Sequence, residues 1–237
     1  MDTASLLRKN LESVQEKIRT AAERAGRSPD EIRLIAVTKY VDVPLVRQLV
    51  ELGQRSLGES RPQQLWQRHA LLADLPVQWH LVGPLQRNKV RKTLPCAEWI
   101  HSVDSLPLLA DINRIAGELG LRPKLLLEVN ISRHPSKHGF PPEMMEEVVS
   151  QLENFPNVAI CGLMAMAGVE GDLEGARRDF RALRQLRDEL APLAPPQVSL
   201  RELSMGMSGD FEIAIEEGAT MVRIGSALFQ GILEEES

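Results

Sequence analysis

Thiols, aromatic rings and positive charge in excess are all scarce in this chain, and each scarcity removes a class of function. Two cysteines occur, Cys96 and Cys161. They stand in different segments without ligand-like neighbours, which tells against a disulfide framework or a thiolate metal site and suits a reducing cytoplasm. Aromatic residues make up 4% of the 237 positions, with a single tyrosine, Tyr40. The basic stretch QRNKVRK, Gln86 to Lys92, therefore has no rings between its cations and reads as a solvated helix start, not as a nucleic-acid surface. A formal net charge of −5 supplies no general attraction to nucleic acid or to an anionic membrane. No apolar run approaches the roughly 18 residues of a membrane-spanning helix. The N-terminal MDTASLLRKNLESVQEKIRTAAERAGR is instead an amphipathic helix pattern over about residues 2–25, without secretory signal character. His134 and His138 of HPSKH are separated by Pro135, which breaks any helical face that would pair them, so both are expected in a loop and no metal is expected.

What the chain does have is a regular alternation. IRLIAVTK, RSLGE, VQWHLVG, EWIHSVD, KLLLEVN, VAICGLMAM, LRELSMG and MVRIGSALF are short apolar runs separated by helix-like segments. Continuous apolar character marks strands covered on both faces, and strands alternating with helices favour a parallel sheet. Asp172 to Leu190 places Ala176, Phe180, Leu183, Leu186 and Leu190 on one side of a helix, with Arg177, Arg181, Arg184 and Asp188 facing away. Eight such units in about 200 residues predict an α/β protein of the (β/α)8 TIM-barrel type; an open doubly wound sheet is the competing architecture. The Pro-rich APLAPPQ, Ala191 to Gln197, reads as a connection and not as a domain boundary. Residues 1–237 are thus expected to form one domain, an extra N-terminal helix followed by a barrel over about 32–231.

In such barrels chemistry gathers at the C-terminal ends of the strands. RLIAVTKYV ends its apolar run on Lys39, where lost hydration is expected to lower the amine's pKa and free it to attack a carbonyl; a lysine reaching out of the rim is the plainer alternative. Near the other end, SMGMSGDFEIAIEEGATMVRIGSALF carries Ser204, Gly206, Ser208 and Gly209 after one strand and Gly225 and Ser226 after the next. These hydroxyls and close-approach glycines suit a phosphate, and Ser208 reads as the N-cap of a helix from Asp210 to Glu217. Arg223 interrupts the apolar MVRIG, and its permanent charge needs an acceptor, for which Glu128 and Asp104 are candidates. His80 on the third strand is either a cavity residue or a hydrogen-bonded core histidine. Met164, Met166, Met205 and Met207 either line a pocket or fill the core. A carbonyl-reactive lysine, a phosphate cradle and a strand arginine together point to pyridoxal 5′-phosphate (PLP).

From about Leu34 to Gly231 the sequence resembles the pyridoxal phosphate homeostasis proteins, a family similar to the barrel domain of bacterial alanine racemase. The likeness is carried by AVTK, by WHLVGPLQRNK from Trp79 to Lys89, by HSVDS from His101 to Ser105, by VNIS with the downstream SKHG, by GLMAM from Gly162 to Met166, and by the long C-terminal motif above. It implies a PLP fold type III barrel in which Lys39 holds the cofactor as a Schiff base and Arg223 faces the pyridine nitrogen. Ser204, Gly206, Ser208, Gly225 and Ser226 are then the expected phosphate site, with Ser60, His80 and Met166 as further cofactor contacts. Two departures stand out: the second strand ends GESRPQQ, with Ser60 where the family commonly has asparagine, and the ending reads FQG, with Gln230 added.

The resemblance also implies a role in holding and distributing the vitamer, in PLP and amino-acid homeostasis, without a dedicated catalytic activity. The expected setting is cytoplasmic and monomeric, with PLP-dependent apo-enzymes or a regulatory protein as partners. The competing reading is a small amino-acid racemase or other PLP enzyme. Against it, an arginine at the pyridine nitrogen leaves the ring a weak electron sink. Racemases of this arrangement also take a second, opposing tyrosine base from an additional β-domain, whereas Tyr40 adjoins Lys39 and the barrel accounts for the chain.

Overall fold

The computed structural model describes residues 2–168 and 173–232. The eight apolar runs form eight parallel strands: β1 (Arg33–Val37), β2 (Ser56–Glu59), β3 (Gln78–Leu81), β4 (Trp99–Val103), β5 (Lys124–Glu128), β6 (Ala159–Met164), β7 (Glu202–Ser204) and β8 (Met221–Ile224). They pair in chain order, and the sheet closes where Leu34 and Ile35 of β1 lie beside Val222 and Arg223 of β8. A closed sheet has no open edge, and its inner face must be filled by side chains. Ile35, Trp99, Leu126, Met164 and Met221 do this, while the larger core lies between the strands and the helices outside them. Both faces of each strand are therefore covered, which is why the runs are continuously apolar. The doubly wound alternative is set aside by the closure itself.

The helices are α1 (Thr3–Arg24), α2 (Val43–Glu51), α3 (Pro62–Leu71), α4 (Val90–Thr93), α5 (Leu106–Leu119), α6 (Met145–Ser150), α7 (Leu173–Leu190) and α8 (Phe211–Glu216). Among the described residues none is long and apolar enough to cross a membrane. Helix α1 precedes the repeating units. It starts where Asp2 accepts the Ser5 backbone N–H at 2.7 Å, and it buries Leu7, Leu11, Val14, Ile18, Ala21 and Ala22. That stripe packs on α8 and on the turn after β8, where Asn10 Nδ2 donates to the carbonyls of Leu228 and Gln230 at 3.1 and 3.0 Å.

On α7, Ala176, Phe180, Leu183 and Leu190 are buried and Leu186 packs at the margin of the core; Asp172 lies outside the described residues. Its polar side departs from expectation. Arg177, Arg181 and Arg184 do not simply face water but converge on Glu217 at the end of α8, at 3.1, 2.9 and 3.6 Å. Burial alone would push that carboxyl up, and the hydrogen bonds from Arg181 and Arg177 reverse the effect and hold it below its ordinary range. The pairing seats α8, and with it the loop after β7, against α7.

Candidate functional site

A cavity of about 670 Å³ opens at the C-terminal ends of the strands, a size suited to a small-molecule ligand. Lys39, Ser60, Met166, Ser208, Arg223, Gly225 and Ser226 all line it. His80, Ser204 and Gly206 do not: the structure places them beneath or beside the cavity, in supporting positions.

Lys39 is not the end of a strand. Strand β1 stops at Val37, and Lys39 occupies the following turn, where it is exposed with Nζ 4.6 Å from the centroid of the Tyr40 ring. The expected dehydration of this lysine by strand burial is therefore absent. Its backbone, in contrast, is pinned. The guanidinium of Arg68, on α3, donates to the carbonyls of Thr38 and Val41, and Gln64 Nε2 donates to the Lys39 carbonyl at 2.8 Å. Arg68 also pairs with Glu59 at 2.8 Å, and that carboxylate accepts the Thr38 hydroxyl. Glu59 is fully enclosed at the end of β2; burial raises its pKa, and the bonds from Thr38 and Arg68 pull in the opposite sense. A pinned turn thus presents an exposed amine.

Arg223, on β8, is buried, and its partners are not the carboxylates expected from sequence. Nη1 donates to the Ser204 carbonyl at 2.8 Å and to Ser204 Oγ at 2.6 Å, and Nη2 donates to the Ala165 carbonyl at 3.0 Å. Nε has no partner among the described residues, so the edge of the guanidinium toward the cavity retains a donor. Burial lowers the pKa to about 10, with Glu128 and Asp210 acting against the shift, so the group stays charged at neutral pH.

Beneath Arg223 a hydrogen-bonded row crosses the barrel interior: Ser204 Oγ to His101 Nδ1 at 2.8 Å, and His101 Nε2 to His80 Nδ1 at 2.9 Å. One polarity uses the most protons. With Arg223 donating to Ser204 Oγ, the serine proton goes to His101 Nδ1, and the Nε2–H of His101 goes to His80 Nδ1. The reverse order would leave the serine proton without an acceptor. His80 Nε2, which has no partner, then carries the last N–H. Burial drives His80 down to about 3 and holds His101 well below its ordinary value, and both rings are neutral. His80, stacked 5.8 Å from Trp99, is the core histidine of the two sequence alternatives. Ser204 holds the guanidinium and not a phosphate.

The loops after β7 and β8 supply the other wall. Ser208 and Gly209 line it beside Gly225 and Ser226, and Ser208 Oγ accepts the Ala227 backbone N–H at 3.3 Å. Ser208 is therefore not a helix cap. Asp210 takes the cap position of α8 and turns its carboxylate back to the Met207 N–H at 2.6 Å. Gly206 adopts φ 93°, and a Cβ there would fall 2.6 Å from Ala214 Cβ. Its contribution is the tight turn that seats the loop on α8. Gly83 works similarly at the end of β3, where a Cβ would meet the Ser60 carbonyl oxygen at 2.1 Å.

Glu128, His138 and Met207 also line the cavity, as do Tyr40 and the apolar Val37, Val82, Pro84 and Phe229. His138 belongs to the loop expected from sequence, with Nδ1 3.6 Å from Asp104, yet it borders the cavity. Met207 lines the cavity as well, whereas Met164 and Met205 fill the core. Arg68 has no visible signature, because a basic residue near the end of a surface helix reads as solvated until α3 is placed against the Lys39 turn.

An exposed amine, a buried guanidinium with a spare donor, and two loops bearing hydroxyls and glycines define a type III PLP-fold barrel, and this site fits a phosphorylated pyridine aldehyde. Residues 10–232 match the family described as alanine racemase, N-terminal domain. Within it, the chain belongs to the pyridoxal phosphate homeostasis protein family. It is 40% identical over 219 residues to the pyridoxal phosphate homeostasis protein of Aquifex aeolicus (strain VF5), a match covering 92% of this chain and 95% of that one. PipY of Synechococcus elongatus PCC7942 is 39% identical, over 94% of this chain and 99% of PipY. It superposes with TM-scores of 0.86 without PLP and 0.84 with PLP bound.

Proposed function

We propose that this protein binds PLP in the cavity, linked to Lys39 as a Schiff base, and acts in PLP and amino-acid homeostasis as a carrier without a dedicated reaction. The observation that carries this reading is the placement of Lys39 and Arg223 on one cavity with Ser208, Gly209, Gly225 and Ser226. The PLP-bound form of PipY supports it. When bound, the cofactor supplies an aldehyde carbon and an electron-withdrawing ring. Lys39 provides the amine from its pinned turn. Arg223 offers a donor to the ring nitrogen and keeps its own proton at neutral pH, which restrains carbanion chemistry. Ser208 and Ser226 offer hydroxyls to the phosphate. Tyr40 is exposed and lies against Lys39, so it is not set across the cavity as an opposing base. An exposed Lys39 is open to displacement by another amine, the property that suits a monomeric cytoplasmic protein passing PLP to apo-enzymes or reporting occupancy to a regulatory partner.

Borohydride reduction of the loaded protein, followed by peptide mass mapping, is expected to place a pyridoxyl group on Lys39. An adduct on another lysine, or none, refutes the assignment. Loaded protein mixed with a PLP-dependent apo-enzyme is expected to restore its activity while chiral chromatography detects no racemisation. Sustained conversion of L- to D-amino acid that disappears in Lys39→Ala would establish the racemase reading instead.

A further inference from the structure

Glu128 lines the cavity, yet the carrier reading gives it nothing to do. It is the last residue of β5, and in a barrel whose strands run in chain order β5 stands across from β1. Its carboxyl therefore looks into the cavity from the side opposite the Lys39 turn. The residue is 5% exposed, and its carboxyl accepts no hydrogen bond and joins no ion pair among the described residues. Arg223 attracts it through space, but among the described residues no hydrogen bond or ion pair joins the two, and the guanidinium's hydrogen bonds go to Ser204 and Ala165. The Glu128 oxygens are not sealed off but reach the cavity, where a cation or a proton from a ligand would offset the burial of the carboxylate.

The charged groups around it narrow the ligand. Asp104 faces it from the β4–α5 connection, His138 from the β5–α6 connection and Arg223 from β8. Burial, and then repulsion by Asp104, push the Glu128 carboxyl up to about 7 against the opposing pull of Arg223 and His138. It is poised to gain or lose a proton near neutrality, the range useful to a general base. The Glu128 carboxyl on the wall, with the Asp104 carboxyl near it outside the lining, favours a cation and disfavours a ligand bringing a carboxylate of its own.

Resting on the cofactor reading above, we propose that Glu128 receives the ammonium group of an incoming primary alkylamine, of the lysine side-chain type, and takes one of its protons. One N–H bond of the ammonium breaks, the electron pair stays on nitrogen, and an O–H bond forms on Glu128. The amine then faces the Lys39 side of the cavity in the neutral form that can displace Lys39 from a carbonyl carbon.

The first test needs no cofactor. Protein with isotopically labelled glutamate carboxyl carbons is titrated by NMR from about pH 4 to about pH 9, with Glu128→Gln identifying the resonance. Glu128 is expected to titrate well above an ordinary glutamate, and butylammonium chloride is expected to lower its midpoint where sodium chloride at equal ionic strength does not. A midpoint indifferent to the amine overturns the proposal. In the second test, transfer of bound PLP to butylamine is followed by visible absorbance and expressed per bound cofactor. The rate is expected to rise with pH through the Glu128 titration and to fall about a hundredfold in Glu128→Gln. Equal rates overturn the proposal, as does a Glu128→Gln protein that no longer takes up PLP, which would make Glu128 a cofactor contact. L-Alanine is expected to react more slowly than butylamine, and the opposite preference overturns the assigned amine class. Protein that takes up no PLP at all defeats the carrier reading, while the cofactor-free titration still decides the role of Glu128.

Discussion

Arg223 shows how a single buried cation organises the residues beneath it. Its hydrogen bonds to Ser204 and Ala165 engage both Nη atoms, with no ion pair among the described residues, so the guanidinium is held by dipoles and its charge remains available to the cavity. Ser204 passes the polarity on to His101 and then His80. Nitrogen NMR of labelled histidine rings is expected to show both as neutral Nε2–H tautomers that do not titrate between about pH 8 and about pH 5; a charged ring or an Nδ1–H tautomer would disprove the row. The linkage has a definite sign. His80 has its pKa lowered from 6.5 to about 3 in the fold. The unfolded chain therefore binds a proton that the native state refuses, and the stability present above about pH 6.5 is lost as pH falls toward 3.

Among the elements, the coupling of α3 to the turn after β1 matters most for the site. Arg68 reaches from α3 to two carbonyls of that turn while neutralising Glu59 at the end of β2. Arg68→Met would strand an enclosed carboxylate and release both carbonyls. The expected cost is about 3–5 kcal/mol in urea unfolding, accompanied by reduced modification of Lys39 in the borohydride experiment. The double variant Arg68→Met with Glu59→Gln is expected to recover part of that stability, because the unpaired charge is gone. A single variant as stable as the parent protein would show that the clamp does not hold the turn.

For the molecule as a whole, closure of the barrel leaves the seam after β8 to be covered by α1, a helix outside the repeating units. Leu11 is 4% exposed in that contact. Leu11→Ala is expected to cost about 2–4 kcal/mol by denaturant unfolding, from lost burial and the cavity left behind. A change below about 0.5 kcal/mol, the usual size for a surface position, would mean that α1 is only loosely applied.

By itself the sequence determined the eight strands, their succession along the chain and the covering of both faces, because continuous apolar runs alternating with amphipathic stripes encode burial locally; their closure into a barrel was decided by the tertiary structure. Lys39 and Arg223 were legible for the same reason: each is a cation at a place where the local pattern calls for an apolar residue or a strand end. Only the tertiary structure decided what those cations touch. Arg223 finds Ser204 and Ala165 across two neighbouring strands, Arg68 finds the Lys39 turn across 30 and 27 residues of chain, and the Glu128 carboxyl finds no hydrogen-bond donor among the described residues. Ser204 and Ser208 likewise sit in one phosphate-like motif, yet one points beneath the cavity and the other lines it. Hydropathy fixes which faces are buried. Hydrogen-bond partners depend on the register and closure of the barrel, which bring distant segments within about 3 Å of one another, and no local pattern records that distance.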